Sequence, residues 1–233
     1  MRKISILATV CFLFLAACQR SQDAELQPAE TTWSDALELF REGGSNNIDV
    51  EVEVSDSQLN ELEAGIDIGH LALRNGVAGS VALGELDRFR SIERLTLYRC
   101  DFDDAAAQRV SRIQGLEHLN VPDHELTGAG LAAIASNSSL RSLRIGSGQL
   151  DGVDLEVLTA HPSLEHLHLI GITLELEQAQ RLARLPRLQS LYLDDSGLSL
   201  DDEEALETEF GHVHMHFNQR HSSRSSKGNH SHK

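Results

Sequence analysis

LEHLHL at residues 164–169 returns 24 residues later as LQSLYL (188–193) and stands 24 residues earlier as LRSLRI (140–145). The same apolar-x-x-apolar-x-apolar spacing recurs at IGHLAL (68–73), IERLTL (92–97), LEHLNV (116–121) and HVHMHF (212–217), so the interval is constant over seven units. Of the 21 positions this template defines, 20 are apolar and only His212 fails, where 40 % hydrophobic composition would supply about eight. Two further apolar columns keep the phase. Ten residues after each start stand Ala78, Phe102, Leu126, Leu150, Leu174 and Leu198; eighteen after stand Leu86, Val110, Ile134, Leu158, Leu182 and Leu206. Two-residue alternation predicts a strand at the head of each unit, and the three-residue spacing of Leu131 and Ile134, or Leu155 and Leu158, predicts a helix behind it. So short a unit cannot bury its apolar stripe alone, so the units must stack. Composition agrees: leucine supplies 36 of 233 residues, and Phe, Trp and Tyr together only 10.

Over roughly residues 68–217 these motifs resemble the leucine-rich repeat family, in its 24-residue, helix-bearing bacterial form. The resemblance implies an α/β fold, a leucine-rich repeat solenoid: a right-handed horseshoe with parallel β-strands on the concave face and helices on the convex face. One departure stands out. The position eight after each start, often Asn or Cys in the family because it bonds neighbouring backbone, is Gly76, Cys100, His124, Gly148, Ile172 and Ser196. Only Cys100 fits, and a continuous ladder is not expected. Cys100 itself reads as a buried small residue rather than a reactive thiol.

The ends of a stacked array need covers, or apolar side chains and strand edges stay exposed. At the start, Thr32-Trp33-Ser34-Asp35 predicts a helix N-terminus, with Ala36, Leu37 and Phe40 on its apolar side and Gly43-Gly44 as its stop. Strict apolar–acidic alternation over Ile48–Val54 predicts a strand, and Leu59 and Leu62 stand where that unit's helix belongs. Residues 33–65 are therefore expected to form a capping helix and a modified first repeat, residues 66–217 the repeats, and residues 218–233, rich in Ser, His and basic side chains, a disordered tail.

The opening stretch MRKISILATVCFLFLAAC (1–18) carries Arg2 and Lys3, an apolar run from Ile4 to Ala17 interrupted by Ser5 and Thr9, and a cysteine after two alanines. This is the order of a secretory signal, too short to be a comfortable span. Leu15-Ala16-Ala17-Cys18 resembles a bacterial lipobox, which implies a lipoprotein: residues 1–17 removed as signal peptide, Cys18 acylated, and residues 18–32 left as a flexible tether. Gln19 after the cysteine implies the outer membrane, with the domain expected to face the periplasm. An ordinary signal cut after Ala17 is the alternative. With Cys11 removed and Cys18 acylated, Cys100 has no disulfide partner.

Net charge is −16, from 36 acidic against 20 basic residues, which opposes nucleic-acid binding through phosphate contacts. On aligned strands, the residues two, four and six after each start would share the concave face. They include His70, Arg74, Arg94, Thr96, Tyr98, His118, Asn120, Arg144, His166, His168, Tyr192, Asp194, His214 and His216. Six of the 12 histidines and both tyrosines fall there, and Asp194 is the lone carboxylate counted. At about 4.8 Å between strands, seven strands give a face of roughly 500–700 Å², close to one partner's share of a standard interface. The expected function is non-catalytic recognition of a protein or glycan ligand on this face. The alternative is a metal-binding lipoprotein (Zn, Ni or Cu) built on His166, His168, His214 and His216. No catalytic motif of the HExxH, GxSxG or phosphate-loop kind occurs, so no enzyme, cofactor or resident metal is expected, and a monomer is.

Overall fold

The computed structural model describes residues 31–76, 83, 86, 88–218 and 220–221. Eight strands among them lie side by side in chain order, all parallel: β1 (Asn47–Val50), β2 (Asp67–Leu73), β3 (Ser91–Leu97), β4 (His118–Val121), β5 (Ser142–Gly146), β6 (His166–Ile170), β7 (Ser190–Asp194) and β8 (His214–Phe217). From β2 to β8 every paired residue meets the one 24 positions ahead, as in His70 with Arg94 and Arg144 with His168. The β1–β2 pair is offset by 23, Asn47 meeting His70, so the first unit is one residue short.

The chain crosses from strand to strand through α2 (Asp56–Leu59), α3 (Asp104–Val110), α4 (Gly128–Ala135), a 3-10 turn at Asp154–Leu158, α5 (Leu176–Ala183) and α6 (Leu200–Glu209). From α3 onward these segments touch in sequence, α3 on α4, α4 on the 3-10 turn, the turn on α5, and α5 on α6, making a second layer over one face of the sheet. All 20 apolar template residues are buried, and so are Val110, Ile134, Leu158, Leu182 and Leu206 behind them. One core runs from Trp33 to Phe217 between the two layers. Each fully buried leucine in it contributes about 1.5–3 kcal/mol relative to exposure. Side-chain caps mark where these segments start: Thr127 accepts from Ala129 N and Ser199 from Asp202 N, and ahead of the 3-10 turn Asp151 Oδ1 accepts from Val153 N and Asp154 N. Leu155 and Leu158, three apart, still share a face there and are buried.

At the start, α1 (Trp33–Arg41) is capped by Thr32, which accepts from Asp35 N, and ends before Gly43 at φ +71°. It packs on β1. The strand predicted over Ile48–Val54 stops at Val50; Val54 is nonetheless buried and donates its N–H to Gly76 O at 3.2 Å. Leu59 and Leu62 are buried as expected. The far end departs from expectation. Within the stretch predicted to be structureless from 218 on, Arg220–His221 form β9, antiparallel to β8, with His221 opposite His216 and Arg220 opposite Phe217. The physical reason is the unpaired edge of β8, which a short return strand satisfies. Asn218 makes the turn at φ +51°. Residues 1–30, including the expected signal and Cys18, as well as Ala78 and residues 222–233, lie outside the described residues. Among the described residues no helix is long and apolar enough to cross a membrane.

Where each strand ends and the chain turns, the structure corrects one sequence expectation. Cys100 is joined by His124. The Cys100 thiol lies 3.9 Å from Leu73 O, and His124 Nε2 lies 3.1 Å from Leu97 O, the carbonyl one repeat further on. Both buried side chains thus reach the equivalent carbonyl of the preceding unit. At His124 the group that reaches it is an imidazole N–H.

Candidate functional site

The helices cover one face of the sheet; the other carries the residues expected there. Its first row runs His70, Arg94, His118, Ser142, His166, Ser190 and His214, and its second Ala72, Thr96, Asn120, Arg144, His168, Tyr192 and His216. Arg74, Tyr98 and Pro122 lie just beyond the ends of β2, β3 and β4, and Gly146, Ile170 and Asp194 close β5, β6 and β7. Gly146 is a close-approach position: a Cβ there would collide with Pro122 O and press tightly on Ile170 O.

Several of these residues are already engaged. Arg74 makes a bidentate ion pair with Asp49, both bonds 2.7 Å, so Asp194 is not the lone carboxylate on this side. Asp49 comes from β1, a strand whose 23-residue offset hides it from the 24-residue rows. Arg94 pairs with the adjacent Glu93 at 3.3 Å. His70 Nε2 lies 3.1 Å from Thr96 Oγ1, and Thr96, 7 % exposed, has little surface to offer a ligand. His118 lines the same row between Arg94 and Ser142.

Arg144 is the organising group. Its Nη1 donates to Tyr98 Oη (2.8 Å) and to Asn120 Oδ1 (3.4 Å), and its Nε donates to His168 Nδ1 (3.2 Å). Asn120 Nδ2 also donates to Tyr98 Oη at 3.3 Å. Because His168 Nδ1 accepts, its proton sits on Nε2, which donates to Asp194 Oδ2 at 2.9 Å. Burial pushes the His168 pKa below its ordinary 6.5; the bond to Asp194 opposes that shift and the Arg144 charge assists it. The ring is therefore neutral at pH 7, with both nitrogens committed. Arg144 has no carboxylate within ion-pair distance among the described residues. In a chain of net charge −16, its guanidinium is held by neutral groups alone.

Beside it, Ser142, Leu143, Arg144, His166, Leu167, His168, Ser190 and Tyr192 line a shallow depression of about 260 Å³. His166 Nδ1 and Ser190 Oγ are 2.8 Å apart. Tyr192 is packed between two imidazoles: His216 stacks on it at 4.4 Å and 12°, and His168 lies 5.3 Å away at 36°. His216 is 7 % exposed, and its Nε2 lies 2.7 Å from His214 Nε2. The four histidines expected as a metal alternative are thus not brought together: His168 has no free nitrogen, and among the described residues no three His, Cys, Asp or Glu side chains form a metal-binding group. Ser142 and Ser190 stand in the rows but not among the expected site residues; their place between Arg144, His166 and Tyr192 is legible only from cross-strand register.

No protein-family model matches the chain, and no curated protein matches its sequence.

Proposed function

We propose that the chain is a leucine-rich repeat lipoprotein, held at the outer membrane by acylated Cys18, whose uncovered sheet face recognises a protein partner without catalysis. The 24-residue register and the helix row support the solenoid reading. One observation carries the functional reading: Arg144 is fixed by Tyr98, Asn120 and His168 and lacks an acid partner among the described residues, although acids outnumber bases almost two to one. An immobilised, unpaired cation in a polar depression is poised for a ligand's negative charge, because its ordering entropy is already met. Tyrosine and arginine are common anchors at protein interfaces. The covered ring of Tyr192 favours a protein over a glycan, since sugar stacking needs an open aromatic face and here both are taken by imidazoles.

The test is recovery of partners by the tagged mature chain beside an Arg94→Glu, Tyr98→Ala, Arg144→Glu variant. The variant is expected to lose the partner; equal recovery by both chains overturns the recognition reading. Separately, Cys18→Ala is expected to move the protein from the membrane fraction to the soluble fraction, and continued membrane retention overturns the anchor.

A further inference from the structure

We propose that the depression between β5, β6 and β7 is a binding site for a single carboxylate, presented by an acidic side chain of a protein partner. This rests on the recognition reading above and names its chemistry. Four groups around the depression take part in no hydrogen bond among the described residues: Arg144 Nη2, Ser142 Oγ, His166 Nε2 and Tyr192 Oη. Ser142 and His166 are neighbours in one row, Arg144, His168 and Tyr192 in the next. Adjacent strands are about 4.8 Å apart and successive same-face residues about 7 Å. The four groups therefore come from a patch roughly 10 Å by 7 Å. That is room for one carboxylate and the methylenes behind it, and the volume of about 260 Å³ agrees.

The donors fit the ligand in kind. A guanidinium whose Nε and Nη1 are tied down cannot swing away, so Nη2 is presented in one orientation and gives a charge-assisted bond to an incoming oxygen. Hydroxyls at Ser142 and Tyr192 serve the second oxygen. His166, with Nδ1 at Ser190 Oγ, has Nε2 left to face solvent or ligand. Leu143 and Leu167 supply an apolar floor. The charge present selects a monoanion. Arg144 is the one full cation in the lining, and Asp194 stands on the far side of the His168 ring bonded to it. The second charge of a phosphate dianion would meet no second full cation in that lining.

The experiment is fluorescence anisotropy of the full chain with a labelled glutamate-rich decapeptide, its glutamine counterpart, and competition by acetate or inorganic phosphate. Arg144→Gln is expected to weaken binding of the glutamate peptide at least five-fold, Ser142→Ala two- to three-fold, and Arg109→Gln, on α3 in the helix layer, less than two-fold. The glutamine peptide is expected not to bind, and acetate to compete better than phosphate. Equal binding of both peptides, or better competition by phosphate, overturns the carboxylate assignment. Loss in the triple variant of the uncovered face without loss in Arg144→Gln removes this site and leaves the recognition reading standing. Binding unaffected by either variant removes both. Circular dichroism of each variant separates loss of fold from loss of ligand.

Discussion

His124 and His168 are both histidines placed by the repeat, and their neighbours give them opposite work. His124 is buried against Phe102, ring centroids 5.3 Å apart, and bonds the backbone of the unit before it. Removing a buried partner leaves the Leu97 carbonyl unsatisfied, at about 1–3 kcal/mol. His124→Ala is therefore expected to lower stability by that amount in urea denaturation, and His124→Asn, which keeps a donor at similar reach, by less than half of it. Equal losses would mean that packing on Phe102, not the hydrogen bond, is what His124 supplies. His168 instead holds Arg144 in place. Counting along the chain is enough to place both residues, but it does not say which side chains engage one another. Arg74 and Arg94 look like Arg144 in the rows, and Asp49 and Glu93 neutralise them. Those pairings depend on side-chain distances that no spacing in the chain encodes.

At the scale of elements, the strands are legible in the sequence because a half-buried strand must alternate, and seven in-phase copies leave little room for another pattern. Boundaries that depend on one hydrogen bond are not. Val54 keeps its place by bonding Gly76 after β1 has ended, so the alternating stretch Ile48–Val54 overstates the strand. β9 escapes a reading of the sequence because a two-residue strand has no periodicity; only the bare edge of β8 calls for it. The residues just after four successive template starts, Glu117, Arg141, Glu165 and Gln189, carry a further regularity. Arg141, at the entry to β5, pairs with Glu165 through bonds of 3.2 and 2.8 Å and with Glu117 at 3.4 Å, while Gln189 donates to Glu165 at 3.2 Å. Glu165 is buried, and the Arg141 bond holds its pKa below the usual carboxylate range. The units of β4 to β7 are thus pinned at their entry by these polar bonds and in their interior by leucine.

The whole molecule carries a shared acid sensitivity. The pKa values of His70, His118, His124, His161 and His168 are all pushed below the ordinary 6.5, burial being the largest cause at each. As pH falls through about 6.5 the unfolded chain takes up these protons first, so it binds more protons than the folded one and stability declines. Above that pH the contribution is fully present. The urea midpoint is expected to drop on acidification from pH 7.5 to 5, and to drop less in a His124→Asn, His161→Asn variant; a midpoint that rises would contradict the assignment. The carboxylates with lowered pKa, Asp67, Glu165 and Asp202, act in a lower window, below the range of that measurement.

Strand order equal to chain order has a last consequence, for how such a protein can change size. Each strand from β2 to β8 finds its neighbours one repeat away along the chain, so the molecule has a quantum of length. Duplicating or excising one whole unit, such as residues 140–163, would move every later row by one strand and leave each face in phase. A one-residue slip within a strand would instead set leucines against solvent and charges against the core, because side chains of a strand alternate between its two faces; a unit of another length keeps its faces only where the connecting segment absorbs the difference, as the 23-residue step from β1 to β2 does. The uncovered face can therefore grow or shrink by one strand spacing at a time, about 4.8 Å.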